Sequence, residues 1–225
     1  MSGTPLQAID AGLMEYRQCL GLQRRLHAAV VGGGPSCVLF VEHPPVLTFG
    51  KNADKGHLRL ASSLYQEMGV ALIDTDRGGE VTAHMPGQLV VYPILRLADF
   101  GLTPRRHVEL MESAVIKVLA GFNVTAARDP DYPGVWVGER KICAVGVRIK
   151  ERVTMHGLAL NVDNDLELFA QIVPCGIQGR SVTSMRQEIG TVELAAVQAS
   201  LSNLLGQSLG VAVVASKLAM SRTIP

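Results

Sequence analysis

The segment between residues 134 and 162 constrains the fold of this chain most, because a strand pattern occurs in it three times in succession. The patterns cover residues 134–137, 141–149 and 153–162, and two short polar segments separate them. Connections of this length join antiparallel neighbours. The sequence therefore predicts a meander of hairpins at this place.

Helical patterns lie on either side of the meander. The pairs Thr4-Pro5 and Thr103-Pro104 each place a capping residue before a proline, which is a common start of a helix. The sequence predicts a helix after each pair, and a third helix after Thr191. A buried strand at Cys37–Val41 and a helical turn at Asp165–Ile172 are also expected. Because helices and strands do not alternate regularly, the chain belongs to the α+β class.

The chain has 225 residues without a linker-like stretch, which favours one domain over residues 1–225. Hydrophobic residues make up 48% of it, but no apolar run approaches the roughly 20 residues that a membrane span needs. The N-terminal residues have no basic cluster and no long apolar core, unlike a secretory signal. We expect a cytoplasmic protein that does not enter membranes.

The charge and the cysteine spacing exclude several classes of partner. A net charge of +1 with interspersed signs gives no electrostatic footprint for nucleic acid. The four cysteines form no C-x-x-C pair, and the six histidines show no ligand spacing for a metal. We expect no disulfide framework, no metal and no cofactor.

A glycine-rich polar block, Arg77–Gln88, runs directly into the apolar segment Leu89–Ile94. Glycines allow close approach of a ligand to the backbone, and the polar residues are of types that bind substrate groups. The block is typical of the edge of a binding site, with a buried strand behind it. A tight turn followed by a strand is the alternative.

The middle strand of the meander contains one lysine on an apolar face. Regular alternation places Lys141 on the face of Cys143 and Val145, opposite Ala144 and Gly146. The lysine either reaches back to water with its amine or is partly desolvated beside an anion. The pattern leaves both interpretations open.

The next strand carries a stripe of small residues, Gly157 and Ala159, with His156 predicted on the opposite face. Small side chains on a strand leave room for a ligand or for a closely packed helix. His156 is a candidate base, and a buried structural histidine is the alternative.

Cys175 is the strongest candidate for a reactive thiol. It lies in a short loop, Pro174-Cys175-Gly176, whereas the other three cysteines lie in predicted helices or strands, where cysteine behaves as a small hydrophobic residue. A nearby cation favours the thiolate form of a cysteine. Lys141 is the candidate for that cation.

Several blocks in series resemble the octanoyltransferases of lipoate biosynthesis. The resemblance covers about Glu42 to Cys175. The blocks are Glu42-His43-Pro44-Pro45-Val46, the segment Arg77–Gln88 with Tyr92, Gly134-Val135-Trp136-Val137, Lys141–Gly146, His156–Asn161 and Pro174-Cys175-Gly176.

The resemblance implies a mixed sheet flanked by helices, as in the catalytic domains of biotin and lipoate protein ligases. It implies a catalytic cysteine at Cys175, which carries octanoate as a thioester, and a lysine at Lys141, which lowers the pKa of that cysteine. The implied donor is octanoyl-acyl carrier protein. The implied acceptors are lipoyl domains of 2-oxoacid dehydrogenases and the H protein of glycine cleavage.

The resemblance also implies three substrate-binding segments. The residues that match them are Arg77, Gly78, Gly79, Glu80, Val81, Thr82, Ala83, His84, Ala144, Val145, Gly146, Gly157, Leu158 and Ala159.

Two positions depart from the family pattern. Family members have an aromatic residue in place of Ala83 and glycine in place of Met85, so a reshaped pocket wall and a changed acyl preference are expected. Two other functions are alternatives. One is an ATP-dependent lipoate or biotin ligase, which does not need a cysteine and lysine pair. The other is a non-catalytic module that binds carrier proteins.

Overall fold

A computed structural model describes residues 4–172 and 180–217 of the chain. The predicted catalytic residue Cys175 lies outside these described residues. Within them, the α-helices are α1 (Tyr16–Val31), α2 (Ser62–Glu67), α3 (Pro104–Gly121), α4 (Glu167–Ala170), α5 (Met185–Ile189) and α6 (Leu194–Leu209).

The strands belong to two sheets. In chain order they are β1 (Leu6–Leu13), β2 (Cys37–Glu42), β3 (Val46–Phe49), β4 (Ala71–Asp74), β5 (Val81–His84), β6 (Gln88–Ile94), β7 (Ala127–Arg128), β8 (Val135–Val137), β9 (Arg140–Lys150), β10 (Val153–Asn161), β11 (Ser181–Val182) and β12 (Val213–Lys217).

Over the described part of the chain, the larger sheet has nine strands in the order β12-β1-β2-β6-β10-β9-β8-β7, with β11 paired to β9. The strand β1 runs parallel to both its neighbours, whereas β2, β6, β10, β9 and β8 form antiparallel pairs. A smaller sheet has the order β4-β3-β5. Both sheets, together with the helices, confirm the α+β class with a mixed sheet.

Helices cover both faces of the larger sheet. On one face, Met111 and Val115 of α3 and Leu201 of α6 pack against Phe40 and Leu158 of the sheet. On the other face, Cys19, Leu22 and Val30 of α1 pack against strands β2 and β6. No helix within the described residues is both long and apolar enough to cross a membrane.

The smaller sheet has an apolar cluster of its own. Leu47, Phe49 and Ala83 pack there against Tyr65 of α2 and Phe169 of α4. This arrangement holds β5 and the loop before it over one face of the larger sheet. The candidate site lies in that space.

Most of the predicted elements are confirmed. The three strand patterns of the meander correspond to β8, β9 and β10, and the Cys37–Val41 strand corresponds to β2. Helix α3 begins at Pro104, and the Thr103 side chain accepts a hydrogen bond from Arg106 N, as the sequence predicts. Helix α6 is present, but its N-cap is Glu193 and Thr191 lies before it.

The start predicted for the first helix, directly after Thr4-Pro5, is wrong, because Leu6–Leu13 forms strand β1 and the helix begins at Tyr16. Leu6 and Ala8 are buried on one face of the larger sheet and Ile9 on the other. The strand is inserted between β2 and β12, and Leu6 N donates to Ala212 O at 2.8 Å. Pairing with distant strands has overridden a local helix signal.

Candidate active site

A narrow, largely apolar cavity lies between the larger sheet and the chain segment that leads into β5. Strands β6, β10 and β9 form its floor, through Val90 and Tyr92, Gly157 and Ala159, and Ala144 and Gly146. The last four of these residues face one another in the β9–β10 ladder, as Ala144 opposite Ala159 and Gly146 opposite Gly157. The predicted stripe of small residues therefore lines a cavity.

Gly157 has no room for a side chain. A Cβ atom at this position would overlap with Val91 O and would lie 2.8 Å from Pro93 Cδ. The glycine thus permits the close approach of β6 and β10 beneath the cavity.

The loop of residues 75–80 forms the roof of the cavity, and we call it the flap. Arg77 fixes it to β3 by donating from Nη2 to Thr48 O at 2.6 Å and to Thr48 Oγ1 at 3.0 Å. Gly78 N fixes it to β9 by donating to Val147 O at 3.0 Å. The glycines let the flap lie directly on the sheet, because a Cβ atom at Gly146 would be 2.9 Å from Gly78 O.

Lys141 lies on the cavity side of β9, on the same side as Ala144 and Gly146. Regular alternation predicts the opposite face for it, and that prediction is wrong. The pairing of β8 with β9 shifts by one residue, so that Val135 faces Cys143 while Trp136 faces Lys141. This irregularity places Ile142 and Cys143 together in the core and turns Lys141 towards the cavity.

The amine of Lys141 lies over an aromatic ring. Its side chain is 8% exposed, and Nζ lies 4.7 Å from the centre of the Trp136 ring. The Arg180 guanidinium lies 4.9 Å from the same ring. Strand β11 runs beside Lys141, and Thr183 N donates to Lys141 O at 3.0 Å.

A hydrogen-bonded chain of side chains connects the glycine-rich block with β10 and β11. His84 Nδ1 donates to Gln88 Oε1 at 2.8 Å, and Gln88 Nε2 donates to Asn161 Oδ1 at 2.9 Å. Asn161 Nδ2 then donates to Thr183 O at 2.9 Å. All four residues are buried, so this chain fixes the distance between the block and the strand beside Lys141.

Two neutral histidines stand beside the cavity. Burial lowers the pKa of His43 to about 4, and burial lowers the pKa of His84 well below its ordinary value. The Tyr92 hydroxyl donates to His43 Nε2 at 2.9 Å, which agrees with an imidazole that donates from Nδ1 to Met14 O. Burial also raises the pKa of Tyr16 to about 12, so Tyr16 and the two histidines carry no charge at neutral pH.

His156 lies at the cavity with a strained backbone. Its φ angle is 57°, in the left-handed region that disfavours side chains, and its ring is 1% exposed. Pro93, on the neighbouring strand β6, has no N–H to donate to β10. The His156 N–H donates to Gln23 Oε1 of α1 at 3.0 Å. The ring lines the same cavity as Gly157, although regular alternation predicts the opposite face.

The flap supplies the partner of this ring. His156 Nε2 donates to Asp76 Oδ1 at 2.8 Å, and Asp76 also pairs with Arg148 of β9. Burial lowers the pKa of His156 below its ordinary value despite the carboxylate beside it. A neutral ring is therefore held between the flap and the sheet.

The three cysteines that the structure describes are poor nucleophiles. Cys19, Cys37 and Cys143 are free and buried. Burial raises the pKa of the Cys19 thiol to about 12 and that of Cys37 to about 11, and it raises the pKa of Cys143 as well. Residues 4–172 and 180–217 contain no group of three or more metal-ligating side chains.

Most of the predicted substrate-binding residues line the cavity. Gly78 contributes to the roof through its backbone and is not a lining residue. The residues that do line it are Arg77, Gly79, Glu80, Val81, Thr82, His84, Ala144, Val145, Gly146, Gly157, Leu158 and Ala159.

Ala83 and Met85 do not shape the cavity wall, contrary to expectation. Ala83 is completely buried opposite Leu47 in the cluster of the smaller sheet, and Met85 belongs to that cluster too. Ala83 points away because residues alternate along β5, and Thr82 and His84 face the cavity. The expected change in acyl preference therefore has no basis at these two positions.

Sequence reasoning missed three residues of the wall, which are Tyr16, Val90 and Tyr92. Tyr92 belongs to a quoted motif, and its even spacing from Val90 on a strand is the signal that puts both on one face. Tyr16 comes from α1, and no local pattern connects that helix with β6.

Most of the chain matches a known catalytic domain. The family model for the lipoyl protein ligase A/B catalytic domain matches residues 15–206. The chain therefore belongs to this family.

Curated relatives show to which group within this family the chain belongs. The octanoyltransferase of Desulfovibrio desulfuricans is 42% identical over 179 residues, which are 80% of this chain and 76% of the relative. The octanoyltransferase of Chloroflexus aggregans is 45% identical over 189 residues, which are 82% of this chain and 86% of the relative. The chain is thus placed among the octanoyltransferases, which are acyltransferase enzymes.

Solved structures share the fold at low identity. A lipoate-protein ligase A bound with ATP has a TM-score of 0.77 and 16% identity, with 98% of this chain and 90% of that chain covered. A bipartite lipoate protein ligase from Thermoplasma acidophilum has a TM-score of 0.72 and 14% identity, with 96% and 88% covered. These likenesses concern the fold alone.

Proposed function

We propose that the chain transfers an octanoyl group from octanoyl-acyl carrier protein to a lysine of a lipoyl domain, through a thioester on Cys175. The observation that carries the proposal is the narrow apolar cavity with Lys141 on its wall. Burial of an acyl chain is worth about 0.8 kcal/mol per methylene, so an eight-carbon chain gains several kcal/mol from such a cavity.

Chain connectivity supports Cys175 as the nucleophile. On its N-terminal side, Ile172 pairs with Leu58 and belongs to the cluster of the smaller sheet. On its C-terminal side, Val182 pairs with Lys141 itself. A second small cavity joins the two regions, because Phe169, Val182 and Lys141 all line it. The described cysteines are buried and have raised pKa values, which leaves Cys175 as the thiol suited to attack.

The first half-reaction moves the acyl group onto the enzyme. The Cys175 thiolate attacks the thioester carbonyl of the carrier, a new C–S bond forms, and the C–S bond to the carrier breaks. The Lys141 ammonium stabilises the thiolate before attack and supplies the proton that the departing carrier thiolate takes. A thioester keeps the acyl group activated, so ATP is not needed.

The second half-reaction moves the acyl group to the acceptor. The acceptor amine attacks the enzyme thioester, an amide bond forms, and the cysteine leaves as a thiolate. Lys141, which is neutral after the first step, accepts the proton that the amine loses. Each carrier can dissociate before the next one binds, which suits two large substrates.

The proposal also covers the protein that accepts the octanoyl group and the compartment in which the reaction occurs. The bipartite ligase that shares this fold was studied with its E2 lipoyl domain, and we infer acceptors of the same kind, including lipoyl domains of 2-oxoacid dehydrogenases and the H protein of glycine cleavage. We place the reaction in the cytoplasm, where a catalytic thiol stays reduced.

Intact-mass analysis tests the nucleophile. After mixing with octanoyl-acyl carrier protein, the parent should gain one octanoyl group that hydroxylamine removes, and Cys175→Ser should gain none. Cys37→Ala is the matched control and should form the adduct as the parent does. Adduct on Cys175→Ser, or no adduct on the parent, would contradict the thioester mechanism, and transfer that requires ATP would favour a ligase.

A lysine variant tests the second half-reaction. Lys141→Arg keeps a cation but does not accept a proton at neutral pH. Acylation of this variant should survive better than transfer to a lipoyl domain, each measured as a single turnover. Lys150→Arg changes an exposed lysine of the same strand and should leave both steps unchanged. Equal loss in both steps for Lys141→Arg would count against Lys141 as the base.

A further inference from the structure

The strand register orders the residues along the cavity. Lys141 precedes the pair Ala144 and Ala159, the pair Gly146 and Gly157 follows, and His156 opposite Val147 comes next. The floor residues that β9 and β10 contribute are small until His156 is reached.

Along β9 and β10, the lining residue farthest from Lys141 is His156, and the flap meets the sheet beside it. Gly78 N donates to Val147 O at 3.0 Å, next to the point where His156 Nε2 donates to Asp76 Oδ1 at 2.8 Å. Asp76 pairs in addition with Arg148. We call Asp76, Arg148 and His156 the polar end of the cavity, and His156 is the one of the three that lines it.

The polar end differs chemically from the floor. The floor residues of β9 and β10 are glycine and alanine, whereas the polar end consists of a carboxylate that binds a guanidinium and an imidazole. A methyl group gains nothing by displacing them, since each broken pair would leave a partly buried polar group without its partner.

The backbone of His156 also indicates that the surrounding structure holds this residue in place. Its φ angle of 57° disfavours a side chain, yet the ring is 1% exposed and fixed by Asp76 on one side and by Gln23 through its backbone on the other. Strained residues of this kind persist where the surrounding structure holds them, and they cluster at functional sites.

We propose that His156, held in place by Asp76, determines acyl-chain length by contacting the methyl end of the bound chain. The inference rests on the proposed transfer through this cavity. The reacting carbonyl lies at the Lys141 end, so the methyl end points along the small-residue stripe towards His156. A chain longer than octanoyl meets the ring and its hydrogen bond to Asp76.

The test compares acyl donors in steady-state transfer. Values of kcat/KM are measured for hexanoyl-, octanoyl-, decanoyl- and dodecanoyl-carrier protein with the parent, His156→Ala and His156→Gly. In both variants the ratio of dodecanoyl to octanoyl activity should rise by about tenfold or more, since each methylene in an apolar pocket can contribute that much discrimination. The glycine variant relieves the positive φ and safeguards the test if the alanine variant folds poorly.

Two comparisons distinguish a role of His156 in acyl-chain specificity from a purely structural role. Asp76→Asn keeps an acceptor for His156 and should change the ratio less than Asp76→Ala does. His107→Ala removes another buried histidine, which belongs to α3 and does not line the cavity, and it should leave the ratio unchanged. A structural role alone would lower activity with all donors by the same factor.

The outcomes are distinguishable. An active parent whose ratio is unchanged in His156→Ala and His156→Gly would overturn the role of His156 while the proposed transfer stands. A parent that transfers no acyl group would overturn both. A shift of the optimum to ten or twelve carbons in both variants supports the proposal.

Discussion

Trp136 faces Lys141 directly across the β8–β9 ladder, and its ring centre lies 4.7 Å from the lysine Nζ. A cation held over an indole in this way is favoured by about 1 kcal/mol, which corresponds to about fivefold in a rate if it is lost. The same ring lies 4.9 Å from the Arg180 guanidinium, and Arg180 pairs with Asp129. The indole thus contributes to positioning two cations beside the cavity.

Replacing Trp136 by leucine should lower kcat about fivefold with little change in KM, because the lysine loses its aromatic partner while the cavity stays intact. Trp136→Phe should retain more activity, since a ring remains. Phe40→Leu removes a core ring far from Lys141 and controls for lost stability. Steady-state kinetics together with urea unfolding check this, and equal losses in kcat for Trp136→Leu and Phe40→Leu would refute it.

Adding one methyl group at Gly157 should destabilise the fold by about 3 kcal/mol, because the new Cβ atom would collide with Val91 O and Pro93 Cδ. Gly121→Ala, near the end of α3, has no atom within 4 Å of the added Cβ and should be neutral or slightly stabilising. Urea unfolding of both variants checks the difference. A Gly157→Ala protein as stable as the parent would show that β6 and β10 can separate.

Stability should fall as the pH drops from about 6.5 towards 4. Burial lowers the pKa of His43 and of His107 to about 4 in the folded protein, so the unfolded chain binds more protons in this range. A full shift of this size corresponds to about 3 kcal/mol for each group, lost on acidification. Urea unfolding at several pH values measures the slope.

One variant isolates the contribution of His107 to the pH dependence of stability. Neither ring nitrogen of His107 has a hydrogen-bond partner in the described part of the chain. His107→Leu should therefore stabilise the protein by about 1 kcal/mol at pH 7 and make unfolding less dependent on pH. An unchanged slope would mean that His107 does not titrate in this range.

The two Thr-Pro pairs should respond differently to the same change. Thr103→Ala removes a helix cap and should cost about 1 kcal/mol, or about 2–4 °C in Tm for a chain of this size. Thr4→Ala should have almost no effect, because Thr4 precedes a strand. Thermal unfolding of both variants checks the pair, and equal shifts would contradict the capping role.

Local sequence patterns are sufficient to predict helices and strands whose partners are close in sequence. The meander from β8 to β10 is confirmed because hairpin connections fix antiparallel pairing, and α3 is confirmed because its cap and its apolar periodicity agree. The segment after Thr4 became a strand because β2 and β12 lie on either side of it. Pairing over such a separation leaves no local signal.

The candidate site was predictable to the same extent. The small residues Gly157 and Ala159 indicated a cavity wall from their spacing alone. The assignment of Ala83 to that wall failed because the smaller sheet buries this face of β5 against Leu47. His156 was placed on the wrong face because a positive φ angle is not visible in a sequence.

The register shift between β8 and β9 has a consequence for comparing sites by sequence. Lys141 and Ala144 are three positions apart, and an odd separation on a regular strand puts two residues on opposite faces. Only the extra residue in β9 brings both to one cavity. Grafting this lysine onto a regular strand with the same spacing would bury the amine in the core. Deleting Ile142 from this chain should instead leave the two residues two positions apart on a regular strand, which again puts both on one face. The number of residues between the two therefore matters as much as their identity.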